Sequence, residues 1–471
     1  YKRKAEFVTK AFLFHLIQIS KRRKLMKNIT PNAIKAELNT AITQAIQNQN
    51  REFGEKECNF TRNRVLTAEK MVNLLLSMHG GSLDKELYEA GINVTKSAFV
   101  QQRDKISYTI FEDILEYFNA LHQDMVKYKG YRVLAVDGSA VNMARNPKSS
   151  SFMQHAGTPK GYNQLHINPL YDVLNKTYIH CHIQPQPQQD EIGALLFLLN
   201  WYDYKEKTII KWNFCPENKN VMIEANINAM AHLLEKPNID FLIRVKQDRS
   251  AMREIRKLPM KELDTKISFT ITTTQTNSDK ANDYIFLQTR KNESRLYSTK
   301  TKSGRWDFPS PYHMSFRVVR FMLDTGEYET LATSLPNSFT LSEIKELYHS
   351  RWGIETAFRE LKYSLGLINL HGKKDEFVKQ EIYAAMIMSN FSSRIANQVI
   401  IENKKSNIHT YKVNMQMAIY LCKKFYRTNK GNGKQLMRDI AKYTEPVRPN
   451  RKDERNIKAK SFVGFTYRVS A

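Results

Sequence analysis

The stretch Tyr348 to Lys362, YHSRWGIETAFRELK, decides how the rest of the chain is read. Within it Tyr348, Arg351, Glu355 and Lys362 stand at offsets of 0, 3, 7 and 14. On a continuous α-helix at ~100° per residue, those four share a stripe about 60° wide. Leu347, Ile354, Phe358, Leu361 and Leu365 form a neighbouring apolar stripe, which predicts one amphipathic helix with that side buried. A single carboxylate among a phenol, a guanidinium and an amine, at the rim of a packed face, suits a site that holds a metal and grips phosphate. The plain alternative is a charged face that only meets water.

Composition narrows the partners. The 471 residues carry 73 Lys and Arg against 47 Asp and Glu, a formal net charge of +26. Such an excess favours a polyanion through counterion release, although a ribosomal or membrane-surface protein would share it. An apolar content of 41 % is enough for real cores, and the length allows two to four domains. Cys58, Cys181, Cys215 and Cys422 lie far apart without a CxxC pair, so neither a zinc site nor a disulfide framework is expected. A reducing, cytoplasmic compartment is the default. AFLFHLIQI, Ala11 to Ile19, contains His15 and Gln18 and runs into Lys21-Arg22-Arg23-Lys24, which reads as an amphipathic helix rather than a signal peptide. No run reaches the ~18 apolar residues of a membrane span.

Residues 1 to about 125 read as helical. FTRNRVLTAEKMVNLLLSMHGG is a helical repeat stopped by Gly80-Gly81, and SLDKELYEAGINVTKSAFVQQRDKI reads as two short helices joined across Gly91. That pair resembles a helix-turn-helix whose second helix presents Lys96, Gln102 and Arg103 to phosphates or bases; a helical bundle with a polar surface reads equally well. At Tyr131 the texture changes. YRVLAVDGS is a buried strand with Asp137 at its tip, QLHINPLYDVLN and KTYIHCHIQP form a hairpin at Asn175-Lys176, and Asp190 caps a helix to Tyr202. KTII is a strand, AMAHLLEK a helix and FLIRVK a strand. From Met252 to Pro336 period-two segments predict a β-rich insertion, and Thr340-Leu341-Ser342-Glu343 is a capping box before Tyr348. Glu376 to Asn403 reads as an apolar helix. The tail, with RPNRKDERNIKAK, is basic and either binds DNA or a partner or is disordered.

The Tyr/Arg/Glu/Lys pattern resembles the signature of insertion-sequence transposases of the IS-four family, of the DDE type. The resemblance implies an α/β fold: an RNase H-like catalytic core with a helical N-terminal region and a β-rich insertion before the glutamate helix. Its implied organisation is a DNA-end-binding region over 1–125, core over 126–250, insertion over 251–338, core again over 339–403 and a basic region over 404–471. Asp137 and Glu355 then match two of three metal-binding acids, while Tyr348, Arg351 and Lys362 match the grip on the transposon end. Two Mg²⁺ ions ~4 Å apart, or Mn²⁺, would serve cleavage and strand transfer. The partners implied are double-stranded DNA at transposon ends and target, within a homodimer in the bacterial nucleoid, away from membranes.

The second acid departs from that pattern. The family places Asp-Arg-Gly-Tyr at the tip of the strand that here is KTII, whereas this chain continues KWNFCPENKNVMIEANINAM. No aspartate occurs between Lys207 and Ala231, and Glu217 and Glu224 are the acids available, Glu224 being the substitute singled out. Met222-Ile223-Glu224-Ala225 can be encoded ATG-ATC-GAG-GCN, which read from its third base gives Asp-Arg-Gly. A local frame disruption is therefore expected in the gene. The competing expectation is a DNA-binding remnant that has lost catalysis; an RNase H-like nuclease without transposition is a third.

Overall fold

The computed structural model describes residues 29–52, 60, 65–78, 80–122, 125–155, 158–213, 222–245, 252–287, 306–323, 326–370, 372–401, 409–428 and 431–447. The expected helix at Ala11 to Ile19, Cys58, Cys215, Glu217 and the RPNRKDERNIKAK tail lie outside them.

Eleven strands form one mixed sheet, in the order β2-β4-β1-β6-β7-β11-β10-β8-β9, with β3 and β5 also paired to β4. Inside it, between β4 and β6, runs β1 (Arg132–Val136), all five residues of which are buried. A continuous apolar run is what a strand covered on both faces requires. β1 lies antiparallel to β4 (Thr158–Asp172) and parallel to β6 (Thr208–Asn213), which is parallel to β7 (Ile239–Arg244). The expected hairpin joins β4 to β5 (Thr177–Pro185). In its turn Asp172 Oδ1 accepts from the amides of Leu174 and Asn175, and Lys176 takes a positive φ of 56°. β2 (Ser139–Met143) and β3 (Phe152–His155) also pair with β4.

The strands expected after Met252 extend this same sheet. β11 (Tyr328–Thr333) pairs with β7, β10 (Tyr312–Met322) with β11, and β8 (Leu263–Thr272) with β10. β9 is only Ile285–Phe286, and it pairs in parallel with β8.

Alternation along β1 divides the core. Leu134 and Val136 pack under α6 (Glu191–Trp201) and α7 (Met222–Glu235), whereas Val133 packs with Ile344 and Leu347 of α8 (Leu341–His349). Each large apolar side chain buried in this way contributes about 1.5–3 kcal/mol. Both predicted caps form: Asp190 Oδ1 accepts from Gly193 N at 2.8 Å, and Thr340 and Glu343 close a reciprocal capping box.

The N-terminal helices are α1 (Pro31–Glu52), α2 (Ala68–Ser77), α3 (Leu83–Glu89), α4 (Lys96–Arg103) and α5 (Thr109–Ala120). α3 and α4 are joined through Gly91, whose φ of 66° favours a residue without Cβ. α9 (Trp352–Arg359) follows α8, and then comes α10 (Asp375–Ala396), buried along nearly its whole length. N-terminal residues such as Leu38, Leu75 and Phe118 share one core with α10, α11 (Met415–Arg427) and α12 (Gly433–Lys442). No described helix is long and apolar enough to cross a membrane.

Candidate active site

The Tyr348–Lys362 stretch is not the single helix that its spacing predicts. α8 ends at His349, Ser350 and Arg351 form a turn, α9 starts at Trp352, and Glu360–Ser364 is a π turn. The junction is tightened by i→i−3 bonds, from Arg351 N to Tyr348 O and from Ile354 N to Arg351 O, both 3.0 Å. Lys211 of β6 holds it from beneath. Its Nζ donates to Leu347 O at 3.1 Å and to Ser350 Oγ at 2.6 Å, and burial together with nearby Arg351 lowers the amine's pKa well below the ordinary value. The apolar stripe is nevertheless buried throughout: Leu347, Ile354, Phe358, Leu361 and Leu365 all lie in the core.

Asp137 follows the last residue of β1, at the tip of the strand. Arg351 reaches it from the other side of the chain, with Nη1 3.4 Å from Asp137 Oδ2 and Nη2 2.9 Å from Glu355 Oε1. The two carboxylates, 218 positions apart in sequence, are thus within one guanidinium's span of each other. Burial pushes the Asp137 carboxyl up to about 6; Arg351 and the Gly138 amide pull it down, while Glu191 and Glu355 add like charge. This is the pattern of a site whose charge is held at a cost.

Glu191 was not singled out by sequence, where the segment spoke only of a helix start. It stands one residue after the Asp190 cap, at the head of α6. A Cβ placed on Gly138 would come within 2.4 Å of His166 Nε2 and 2.9 Å of Glu191 Oε1, so these side chains crowd the backbone beside Asp137. An acid at the start of a helix that follows a hairpin of the core was the available signal.

The remaining sequence-predicted residues divide. Tyr348 is buried and turned toward the sheet, its hydroxyl donating to Glu329 Oε2 at 3.2 Å, and Glu329 also pairs with Arg244 at 2.5 Å. In this position it braces α8 against β11. Lys362 lies half-buried on the π turn, has no ion-pair partner among the described residues, and has its pKa lowered by burial. The extra residue of a π turn shifts helical phase, so the stripe does not extend from Glu355 to Lys362 as drawn on a regular helix.

Arg103 lies inside the helical bundle rather than on its surface. It is buried against α10, donating to Gln380 Oε1 at 2.8 Å, Glu381 Oε1 at 2.9 Å and Phe377 O at 2.7 Å. Its guanidinium is engaged inside the bundle by these three contacts. Gln102 is likewise buried, whereas Lys96 is exposed and pairs with Asp84 at 2.6 Å. Glu224 falls in the first turn of α7, and its side chain is outside the described ones.

At the place of the second acid, the parallel register sets Val136 beside Trp212, so β6 ends with Asn213 next to the position of Asp137. The resembling pattern has Asp-Arg-Gly-Tyr at the tip of this strand, and the residue of this sequence there is Asn213. Among the described residues no three His, Cys, Asp or Glu side chains form a ready-made metal cage, since Arg351 lies between Asp137 and Glu355. The donors themselves are carboxylate oxygens, which fit a hard divalent cation. Among the described residues neither ring nitrogen of buried His166 has a hydrogen-bond partner, and the ring lies at the edge of this acid group.

A family model described as a transposase DDE domain matches residues 128–391, more than half of the chain. Among solved structures, the cryo-EM structure of the piggyBac transposase synaptic complex with hairpin DNA is similar over 87 % of this chain and 81 % of its own, at 10 % identity and a TM-score of 0.43. No curated protein matches this chain.

Proposed function

Because this chain belongs to the transposase DDE-domain family, we propose that it cuts DNA at transposon ends and joins them to target DNA in a cut-and-paste reaction of the IS-four kind. The observation that carries this reading is the meeting of Asp137 and Glu355 on Arg351 at the tip of β1. The order β5-β4-β1-β6-β7, with β4 antiparallel to β1 and β6 and β7 parallel to it, supports an RNase H-like core. A net charge of +26 supports DNA as the partner.

Asp137 and Glu355 are the residues that would hold Mg²⁺ or Mn²⁺. When bound, such a cation supplies a polarised phosphate and an oxygen nucleophile active at neutral pH. Arg351, whose planar fork fits a phosphate oxygen pair, would be the residue that grips phosphate beside these carboxylates. Lys362 adds a point charge to the grip, and Tyr348, tied to Glu329, fixes the helix that carries Arg351. Lys96 on α4 is an exposed cation of the end-binding region, and two chains bridge two ends as a homodimer in the cytoplasm.

A second reading, a DNA-binding remnant that no longer cuts, is favoured by Asn213 at the tip of β6. The test is nicking of a labelled duplex carrying the terminal repeats that flank the gene, with and without Mg²⁺. Cation-dependent cleavage at the repeat, lost in Asp137→Asn and Glu355→Gln, supports transposition. Binding without cleavage by the unsubstituted chain leaves the remnant, and cutting indifferent to the repeat leaves a nuclease.

A further inference from the structure

We infer that Glu191 supplies a third carboxylate to the cation site, beside Asp137 and Glu355. The inference rests on the transposase reading above, but on different residues.

Three observations carry it. Glu191 Oε1 lies 2.9 Å from where a Cβ on Gly138 would stand, so the acid flanks the backbone immediately after Asp137. Glu191 and Glu355 both act electrostatically on Asp137, which puts all three carboxylates in one neighbourhood. The third is independent of the acids. His166, 5 % exposed, turns Nε2 toward the same spot, 3.6 Å from Glu191 Oε1 and too far for a hydrogen bond. A buried ring with both nitrogens unpartnered is costly unless something fills the space in front of it. A hydrated cation among the acids would do so, giving the ring a water or a reoriented carboxylate to bond.

The geometry also explains why the cage is unformed. Arg351 bridges two of the carboxylates, and Glu191 Oε1 accepts from Gln189 Nε2 at 3.2 Å. Among the described residues that exposed Gln189 amide is the hydrogen-bond partner of the Glu191 carboxylate, which could turn toward a cation without breaking a buried bond. The head of α6 is fixed meanwhile: Asp190 Oδ1 caps it, and Asp190 N donates to Gln184 Oε1 at 3.2 Å. The glutamate thus moves on a rigid base, as a ligand that must be placed within a fraction of an ångström requires.

The test is Mn²⁺ binding by the full chain without DNA, read by the electron paramagnetic resonance of free Mn²⁺, for the unsubstituted protein, Asp137→Asn and Glu191→Gln. Circular dichroism verifies the fold of each. The expected result is that Glu191→Gln weakens Mn²⁺ binding about 10-fold or more, in the direction of Asp137→Asn. Unchanged binding in Glu191→Gln alongside a loss in Asp137→Asn overturns this inference and leaves the transposase reading standing. Binding unchanged in both variants, or absent from the unsubstituted protein, removes the cation site altogether and both readings with it.

Discussion

Replacing Asp137 with Asn should make the cation-free protein more stable at pH 8 and leave it unchanged at pH 4. The folded protein holds the Asp137 proton to about pH 6, against an ordinary value of 3.8, because burial outweighs the attraction of Arg351. A group whose folded pKa is raised contributes stability that is present below its unfolded pKa and lost as pH rises through the folded one. At ~1.4 kcal/mol per pH unit the gap is worth roughly 3 kcal/mol, an upper figure because the side chain is 26 % exposed. Asn mimics the protonated acid in shape and does not titrate, so the variant escapes that loss. The assay is urea denaturation in EDTA at pH 4 and pH 8. A gain of about 2–3 kcal/mol at pH 8 that disappears at pH 4 is expected, together with loss of Mn²⁺ binding. No gain at pH 8, or the same gain at both values, would refute the view that this carboxylate is ionised at the expense of the fold.

Four further outcomes follow from the same structure. Arg103→Ala should cost about 3–5 kcal/mol in urea unfolding, because it removes the charge facing buried Glu381 along with three hydrogen bonds; the Kd of the folded fraction for DNA should not change. Lys211 has its pKa depressed by burial, so the unfolded chain binds more protons between the folded value and ~10.4, and stability should rise with pH across that window. Lys211→Met should flatten the rise, as followed by thermal melts from pH 7 to 10. Lys362→Ala should reduce the salt dependence of DNA binding by a slope of about one, measured by anisotropy titrations at several salt concentrations. Tyr348→Phe should leave that slope alone and lower stability by about 1 kcal/mol, through loss of its bond to Glu329.

The sequence by itself determined the parts governed by local periodicity and chemistry. The run VLAV before Asp137 reads as a buried strand, the hairpin at Asn175-Lys176 forms, and Asp190 and Thr340 cap the helices that their spacing predicts. The apolar stripe from Leu347 to Leu365 is buried, since apolar residues recurring at helical spacing must find a core. Only the tertiary structure decided what long-range contacts govern. It broke the helix at Ser350, where Lys211 from β6 takes the Leu347 carbonyl. It drew Tyr348 to Glu329 and Arg103 into the bundle, because burial competes with solvent for every cation, and sequence carries no record of which surface a helix will meet. It also brought Glu191 to the side of Asp137. An acid's spacing along the chain says nothing of the distance between strand tips and helix heads once the sheet has closed.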